Sequence, residues 1–474
     1  MKTIHIGLFN ENFRPAEETA DSTAACETVR ETVRGIILNI RKNGVAALQE
    51  YGIRFDHVKL EKFEVDAPVV RSAYERLRRE EPTLFDALSF AAANIRAFAG
   101  LQKEQVSSIV KDDWQEQEKR KGWKEWETAA GVFVGQRVIP LERAAVYVPS
   151  GRYPLISTVL MGVIPATVAG VREICVTSAP QEDGLPDYRI MAAASLAGAH
   201  RVFAIGGAQA VAAFALGVDA DGADAASAAR SGEIVPRADI IVGPGNKYVA
   251  EAKRQLFGEV GIEAVAGPTD VLIIADKSAR PALIAADLIA QAEHDTDARA
   301  RALVPDGQFA GAVEAEVERQ LEAPSLGTSS QSGETARASL DAGGLLIVYG
   351  TRKEAIAAAN RIAPEHLELH VRDPDKWNLE LTNYGSLFIG SASAEALGDY
   401  SAGINHTLPT MGSSRFSGGL SVRHFLKIVT SLRCEDGADT ARYLEAAQII
   451  AEAEGLCGHA LSLALRWAEQ SGKT

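Results

Sequence analysis

Two patterns of apolar and polar positions follow one another along the chain. Between residues 27 and 130, apolar residues recur three and four positions apart with charged residues between them, as in 29–40 and 68–99. That spacing places the apolar side chains on one side of a helix, so this segment is predicted to be rich in helices. From about Val132, short apolar runs alternate with stretches of small residues. This second pattern is typical of buried strands joined by helices.

The apolar runs predict parallel strands in two successive groups. One group comprises residues 144–148, 173–177, 201–205 and 240–242, and the other comprises 271–275, 345–349 and 386–389. Helices are predicted between them over 158–171, 189–199, 282–291 and 353–362. Because alternating strands and helices form βαβ units, the predicted fold class is α/β. It has two similar Rossmann-like units with parallel sheets, a helical N-terminal segment and a small helical C-terminal tail.

The same patterns divide the chain into four regions. They are an N-terminal arm (1–27), a first α/β domain (28–140 with 269–425), a second α/β domain (141–268) and a C-terminal helical tail (426–474). The helices before residue 130 are expected to pack on the 269–425 unit. Two stretches of small and polar residues, the insertion at 219–233 and the segment 323–334, are predicted to be mobile loops.

Composition narrows the class of protein. Of the 474 residues, 49 are Lys or Arg and 63 are Asp or Glu, which gives a net charge of −14. An acidic chain without a long basic run argues against a nucleic-acid partner. We find no run of about 18 apolar residues to span a bilayer and no apolar N-terminal signal. Four scattered cysteines exclude a disulfide scaffold, and the predicted location is the cytoplasm.

Several nitrogen and oxygen donors have a spacing that could serve a metal ion. Gln291 and His294 lie three positions apart at the end of a predicted helix, and therefore on one face of it. Asp399 and His406 lie in a segment rich in Gly, Ser and Asn, and His459 lies in the helical tail. Imidazole, carboxylate and carboxamide donors suit Zn²⁺ and also accept Mn²⁺. The alternative is a helix-capping His294 and unrelated surface histidines.

A carboxylate and an imidazole are adjacent at Glu365-His366, after a predicted helix end. Such neighbours can share the work of a general base, since histidine titrates near neutral pH and a glutamate can activate water. The alternative is an ordinary surface pair at the end of a helix.

Glycine-rich turns follow two of the predicted strands. They are Gly206-Gly207-Ala208-Gln209 and Gly243-Pro244-Gly245-Asn246. Small residues there let the backbone approach a pyrophosphate, with helix N–H groups facing the anion. Neither turn has the full G-x-G-x-x-G fingerprint, so a tight strand-to-helix turn is the alternative interpretation.

Eight ordered motifs, read together, resemble the histidinol dehydrogenase family over nearly the whole chain from about residue 28. They lie at residues 146–151 (VYVPSG), 205–210 (IGGAQA), 242–246 (VGPGN), 266–269 (AGPT), 291–295 (QAEHD), 363–367 (APEHL), 398–406 (GDYSAGINH) and 454–459 (EGLCGH). The resemblance implies an alcohol dehydrogenase that uses NAD⁺ and one Zn²⁺ per subunit. It also implies an intertwined homodimer with a small-molecule alcohol as substrate.

The resemblance assigns roles to individual positions of this sequence. The metal ligands would be Gln291, His294, Asp399 and His459; the catalytic pair would be Glu365 and His366; the NAD contacts would be Tyr147, Gln209 and Asn246; the substrate contacts would be Thr269, His406 and Glu454. His459 and Glu454 would reach the site of the partner subunit through the C-terminal tail. The implied reaction oxidises L-histidinol through bound L-histidinal to L-histidine with two NAD⁺.

Two departures from the family pattern leave the substrate open. Thr269 stands where the family usually has serine, and Asp270 follows it where glutamate is usual. Arg152 lies in a loop where small or neutral residues are usual, and a guanidinium there could bind an anionic substrate. One alternative is therefore a different alcohol, such as 2,3-dihydroxypropane-1-sulfonate oxidised to sulfolactate. Another is an Arg152 that contacts the cofactor pyrophosphate or a neighbouring loop. A non-catalytic nucleotide- or metal-binding homologue and an unrelated zinc hydrolase are further alternatives.

Overall fold

A computed structural model describes residues 1–12, 20–108, 123–150, 154–220, 232–323, 330–435 and 438–471. The strands are β1 Lys2–His5, β2 Trp123–Ala129, β3 Val132–Pro140, β4 Arg143–Tyr147, β5 Glu173–Ser178, β6 Arg201–Ala204, β7 Val218–Asp219, β8 Glu233–Val235, β9 Ile240–Val242, β10 Gly261–Ile262, β11 Asp270–Ala275, β12 Arg299–Val304, β13 Leu345–Val348, β14 His366–His370, β15 Ser386–Ile389 and β16 Leu426–Cys434. The helices are α1 Ile6–Asn12, α2 Ala20–Tyr51, α3 Ala67–Glu80, α4 Pro82–Ser108, α5 Ile156–Ala169, α6 Tyr188–Ala197, α7 Gly207–Leu216, α8 Lys247–Leu256, α9 Pro281–Ala292, α10 Gly307–Leu321, α11 Gln331–Gly343, α12 Arg352–Ile362, α13 Pro374–Asn378, α14 Glu395–Tyr400, α15 Ala438–Ala453 and α16 Cys457–Ser471.

The chain divides into two compact units. The first consists of Met1–Gly100 with Leu141–Phe425, and the second consists of Leu101–Pro140 with Leu426–Thr474. The first unit contains two parallel sheets, so the predicted α/β class with parallel strands is confirmed. The predicted domain boundaries divide the chain differently and stay a prediction.

The smaller parallel sheet has five strands in the order β10-β9-β4-β5-β6. Its central strand β4 is short and apolar, and every residue after Arg143 is buried. Helices α2, α7 and α8 pack together on it, and α3 packs on α6. The helices before residue 130 were expected on the 269–425 unit, but residues 29–63 share the core of this five-stranded sheet instead. Apolar periodicity shows that a helix is buried, but it does not show which sheet buries it.

The larger parallel sheet has six strands in the order β1-β13-β12-β11-β14-β15. Strand β11 is entirely buried at its centre and pairs in parallel with β12 on one side and β14 on the other. Helix α9 covers one face with α10 and α11, and α12 covers the other. The predicted helices over 282–291 and 353–362 are therefore confirmed as α9 and α12.

The second unit contains an antiparallel sheet that the sequence analysis did not predict. Its order is β16-β3-β2, and β16 pairs with β3 from Leu426↔Pro140 to Cys434↔Val132. The tail over 426–474 was predicted to be helical, which is wrong for residues 426–434 and correct for α15 and α16. Charged and polar residues interrupt the apolar ones in β2 and β16, so these strands lack the continuous apolar run that marks the buried parallel strands.

Among the described residues, one helix, α4, is long and apolar enough to cross a membrane when judged by length and composition alone. No such segment was expected from the apolar runs of the sequence. Core helices of water-soluble proteins pass the same test, and Leu88, Ala91 and Ile95 of α4 are buried in the protein interior.

Candidate active site

The catalytic pair predicted from the sequence, Glu365 and His366, lies at the amino end of β14, next to the amino end of the neighbouring strand β11. Thr269 directly precedes β11 and Glu365 directly precedes β14, and the register pairs Val271 with His366. Helix α12 ends at Ile362, and Ala363 follows in the left-handed conformation with φ 51°. The chain therefore turns sharply before the pair and delivers both side chains to one edge of the sheet.

A chain of hydrogen bonds holds the Glu365 carboxylate. The Thr269 hydroxyl donates to Glu365 Oε2 at 2.6 Å and accepts from Gln291 Nε2 at 2.8 Å. The Asp270 N–H also donates to Glu365 Oε2 at 3.1 Å, and the Glu365 N–H donates to Asp270 Oδ1 at 3.2 Å. These bonds fix the carboxylate in one orientation and orient the carboxamide of Gln291 as well.

The His366 imidazole is enclosed by three carboxylates. Its Nδ1 lies 3.5 Å from Glu395 Oε1 and 4.0 Å from Glu365 Oε2, and its Nε2 lies 3.7 Å from Asp399 Oδ1. The side chain is only 4% exposed. These are ion-pair distances, so the neighbours favour a proton on this ring without fixing it by short hydrogen bonds.

The side chains that could hold a metal lie beside this imidazole. Ligand atoms of His294, Glu395 and Asp399 lie within 4.8 Å of one another. The Oε1 atom of Gln291 is buried and has no hydrogen-bond partner among the described residues. An orphaned carboxamide oxygen, an imidazole and a carboxylate at one place form a donor set that Zn²⁺ or Mn²⁺ accepts. The residues present therefore fit a divalent metal.

Burial and charge shift the pKa values in opposite directions within the site. Burial raises the pKa of Glu365 to about 7, although the nearby His366 and the Thr269 hydroxyl act to lower it. Burial also raises the pKa of Glu395 well above its ordinary value. Burial would lower the pKa of His366, but the carboxylates of Glu395, Glu365 and Asp399 outweigh it and raise that pKa well above 6.5. Burial acts to raise the pKa of Asp399, yet its hydrogen bond and charge interaction with His366 leave that pKa below its usual range.

His406 reaches the same place from a loop that is fixed on both sides. Asn405 donates to the Met161 carbonyl at 2.7 Å and accepts from the Thr407 N–H at 2.9 Å. The His406 ring then lies 3.5 Å from the Thr158 hydroxyl of α5. Burial lowers the pKa of His406, so this ring is neutral near pH 7 and can act as a hydrogen-bond partner.

The residues predicted to bind a dinucleotide meet at the carboxyl edge of the five-stranded sheet. Tyr147 is the last residue of β4, and its hydroxyl accepts from the Gly207 N–H at 3.2 Å at the start of α7. Asn246 caps α8 by accepting from the N–H groups of Tyr248 and Val249. Both helices begin at this edge, where the partial positive charge of a helix N-terminus suits a phosphate.

Comparisons with known proteins show which proteins this chain is similar to. A family model for histidinol dehydrogenase matches residues 19–467. A histidinol dehydrogenase of Thermus thermophilus is 44% identical over 440 residues, which cover 93% of this chain and 95% of that protein. One of Methylococcus capsulatus is 42% identical and covers 92% of each chain. The crystal structure of histidinol dehydrogenase from Elizabethkingia anophelis superimposes with a TM-score of 0.82 at 30% identity and covers 99% of both chains.

The chain belongs to the histidinol dehydrogenase family. The resemblance drawn from its eight motifs is confirmed, and the chain is an oxidoreductase that acts on the CH–OH group of a small-molecule alcohol.

Most residues that the family resemblance singled out converge in the structure. Thr269, Gln291, His294, Glu365, His366, Asp399 and His406 lie around one place, and Tyr147, Gln209 and Asn246 lie around another. Arg152 lies outside the described residues, as do residues 221–231 of the 219–233 segment and residues 324–329 of the 323–334 segment. Glu454 follows α15 and His459 lies in α16, both in the second unit, and their contribution to a partner's site stays a prediction.

Two carboxylates of these sites escaped the sequence analysis. Glu395 is four residues before Asp399 on α14, and that spacing on one helix face could have indicated it. Asp56 ends a short π-helix, and its Oδ2 accepts from Gln209 Nε2 at 3.5 Å. Burial raises the pKa of Asp56 to about 6. No local spacing connects Asp56 with Gln209, because they are 153 positions apart.

Proposed function

We propose that this protein oxidises L-histidinol through L-histidinal to L-histidine, with two NAD⁺ as hydride acceptors and one Zn²⁺ per subunit. The observation that carries the proposal is His366, a buried imidazole among three carboxylates and next to the oriented Glu365. Family membership supports histidinol over an anionic alcohol, since the similar proteins are histidinol dehydrogenases.

His366 would take the hydroxyl proton as the hydride leaves. The surrounding carboxylates raise the pKa of His366 and so stabilise the imidazolium that forms when the ring takes this proton. Loss of a hydride and a proton converts the alcohol to the aldehyde, and bound NAD⁺ carries the hydride away.

Glu365 would act in the second half of the reaction. Its pKa of about 7 lets it take a proton from water near neutral pH, and that water adds to the aldehyde. This addition gives the hydrate as a monoanion, because Glu365 holds the proton of the water. The hydrate loses a second hydride to the second NAD⁺ and becomes the carboxylic acid, which then releases a further proton as it ionises. The hydrogen bonds from Thr269 and Asp270 keep the Glu365 carboxylate aimed at one position throughout.

Gln291, His294 and Asp399 would hold the zinc, and His459 of a second copy of the chain would complete the ligand set. Zinc in such a site fixes the substrate and polarises its hydroxyl oxygen. Glu454 would contact the substrate from the same C-terminal tail. Arg152 would contact the substrate or the cofactor.

We propose a homodimer in the cytoplasm as the working form. Exposed apolar side chains on α15 and α16 support association: Ile449, Ile450, Leu461 and Leu465 are 59–60% exposed. The exposed free cysteines Cys26, Cys434 and Cys457 are consistent with a reducing compartment.

The experiment is NADH formation by the zinc-loaded protein, with L-histidinol and 2,3-dihydroxypropane-1-sulfonate offered separately. We expect two NADH per histidinol consumed, and a loss of turnover after a strong chelator removes the metal. Turnover of the sulfonate alone would overturn the substrate assignment, and turnover that survives complete metal removal would overturn the zinc assignment.

A further inference from the structure

A buried ion pair lies behind the glycine turn of the five-stranded sheet. Lys253 of α8 and Glu263, just after β10, are 2% and 4% exposed, and Lys253 Nζ lies 2.6 Å from the carboxylate. Lysine is almost never fully buried unless it is paired, and removing both charges from water is costly. An apolar pair of similar volume would fill the same space without that cost, so the charges point to a further role.

The pair binds both backbone polar atoms of one residue, Gly243. Glu263 Oε1 accepts from the Gly243 N–H at 2.8 Å, and Lys253 Nζ donates to the Gly243 carbonyl at 3.1 Å. Lysine supplies the donor and glutamate supplies the acceptor. Two apolar side chains could supply neither, and the buried peptide groups of Gly243 would then lack partners.

Gly243 occupies a position that only a glycine can take. It follows β9 with φ 118°, and a Cβ built there would lie 2.1 Å from the Tyr147 carbonyl oxygen. Two residues later, a Cβ on Gly245 would lie 2.4 Å from Val249 of α8. The turn is therefore pressed between β4 and α8, and Tyr147 and Asn246, two of the expected cofactor contacts, flank it.

We propose that Lys253 and Glu263 are positioning residues for the dinucleotide: they hold Gly243 so that the turn to Asn246 is set before the cofactor arrives. Neither side chain touches the cofactor. A turn that is already ordered loses less conformational entropy on binding, and this loss would otherwise weaken affinity. This inference rests on the proposed binding of NAD⁺ at this turn.

The test is the double variant K253M/E263Q, which removes both charges together and leaves no unpaired buried charge. We expect the NAD⁺ dissociation constant, measured by calorimetry, and the KM for NAD⁺ to rise about tenfold through loss of preorganisation. We expect kcat at saturating NAD⁺ and the bound zinc to stay within about twofold, because the catalytic residues lie on the other sheet. A general loss of structure would lower zinc content and kcat as well.

The matched control is R41M/E259Q, the same chemical change in an exposed pair. Arg41 and Glu259 have side chains 50% and 44% exposed at 2.7 Å, and exposed pairs contribute little. This variant is expected to bind NAD⁺ like the unmodified protein. E263D is the second variant should the double variant not fold: it keeps both charges and retracts the carboxylate from Gly243 by one methylene, with an expected rise in the dissociation constant of about threefold.

The outcomes separate this inference from the proposed function. If N246A weakens NAD⁺ binding while K253M/E263Q and E263D bind it like the unmodified protein, the positioning role is overturned and the NAD⁺ site stands. If the unmodified protein binds no NAD⁺, the proposed function and this inference fail together. Weaker NAD⁺ binding in both N246A and K253M/E263Q, with NAD⁺ binding unchanged in R41M/E259Q, supports Lys253 and Glu263 as positioning residues.

Discussion

The two parallel sheets of the first unit present their candidate functional residues at opposite edges. The five-stranded sheet presents Tyr147 and Asn246 at the carboxyl ends of its strands, where α7 and α8 begin. The six-stranded sheet presents Thr269 and Glu365 at the amino ends of β11 and β14. The first edge follows the usual placement of ligands in α/β sheets, and the second does not.

The helix ends explain why the two edges suit different ligands. Helix N-termini carry partial positive charge and free N–H groups, which suits an anionic dinucleotide at the first edge. At the second edge helices end: α9 ends one residue after Gln291, α12 ends three before Glu365, and α14 ends one after Asp399. Helix C-termini favour cations. Similar βαβ units thus offer an anion edge or a cation edge, depending on which end of the strands carries the side chains.

The largest expected effect is at the cation edge. We expect His366→Asn to lower kcat about 1,000-fold, because general acid–base catalysis contributes roughly 10²–10⁴-fold. The NAD⁺ dissociation constant and the zinc content should not change. Steady-state kinetics with histidinol and metal analysis of the same preparation measure both quantities. Unchanged turnover would remove His366 from the mechanism.

A pair of variants tests whether zinc binding at the cation edge and NAD⁺ binding at the anion edge are independent of each other. His294→Ala should weaken zinc binding by at least about 100-fold, because it removes a ligand and the loss of a residue that only orients a ligand already costs about 10–100-fold. NAD⁺ binding should stay close to that of the unmodified protein. Asn246→Ala is the reverse variant: it should weaken NAD⁺ binding and retain zinc. Zinc affinity is measured by competition with a chelator. A full zinc complement in His294→Ala at limiting metal would refute the ligand assignment.

A third prediction concerns the pH dependence that Glu365 confers on the metal-free protein. Its pKa is raised from 4.5 to about 7 by burial, so the folded state favours the neutral carboxyl. Its stabilising contribution is therefore fully present below about pH 4.5 and is lost as the pH rises through about 7. Relative to Glu365→Gln, the unmodified protein should lose melting temperature as the pH rises to about 7, and no more above it.

Melting curves of both proteins between pH 4.5 and 8 measure this difference. Glu259→Gln, at an exposed position, is the matched control. A difference in melting temperature that is independent of pH would contradict a buried carboxyl that titrates near neutrality.

The smallest effect is expected at Thr269, where the family usually has serine. Thr269→Ser keeps the hydroxyl between Glu365 and Gln291 and should cost no more than about 1 kcal/mol of unfolding free energy. Thr269→Val removes the hydroxyl and should cost about 1–3 kcal/mol, since two buried polar groups lose a partner. Urea unfolding compares the two variants. Equal losses of unfolding free energy in the two variants would show that the Thr269 hydroxyl does not stabilise the protein.

The anion edge could be predicted from the sequence to a greater extent than the cation edge. Glycine turns that follow apolar strands mark the carboxyl edge, and both turns lie where the patterns place them. Strand β14 reads His366-Leu367-Glu368-Leu369-His370, and its alternation is typical of a half-exposed strand, although all five residues are buried. Because the polar residues of β14 are buried next to the site, a search for apolar runs does not identify β14 as a core strand.

Long-range pairings account for the rest of what the sequence did not predict. Strand β12 contains two arginines, which interrupt its apolar run. Strand β1 lies at the start of the chain and pairs with β13 at the edge of the six-stranded sheet. The residues around the catalytic pair were found by family resemblance, since spacing alone left the metal and base assignments open. Glu395 and Asp56 were missed because each becomes informative only beside its tertiary neighbour.

The pairing of β16 with β3 sets an order of events during synthesis. Strand β3 ends at Pro140 and its partner begins at Leu426, so translation at roughly 5–20 residues per second separates them by about 15–60 s. Until then, the β2–β3 hairpin has an open edge of unpaired N–H and C=O groups, which other chains can join. The nascent protein is therefore most exposed to aggregation while the catalytic unit between those strands is being made, and its last strand closes that edge.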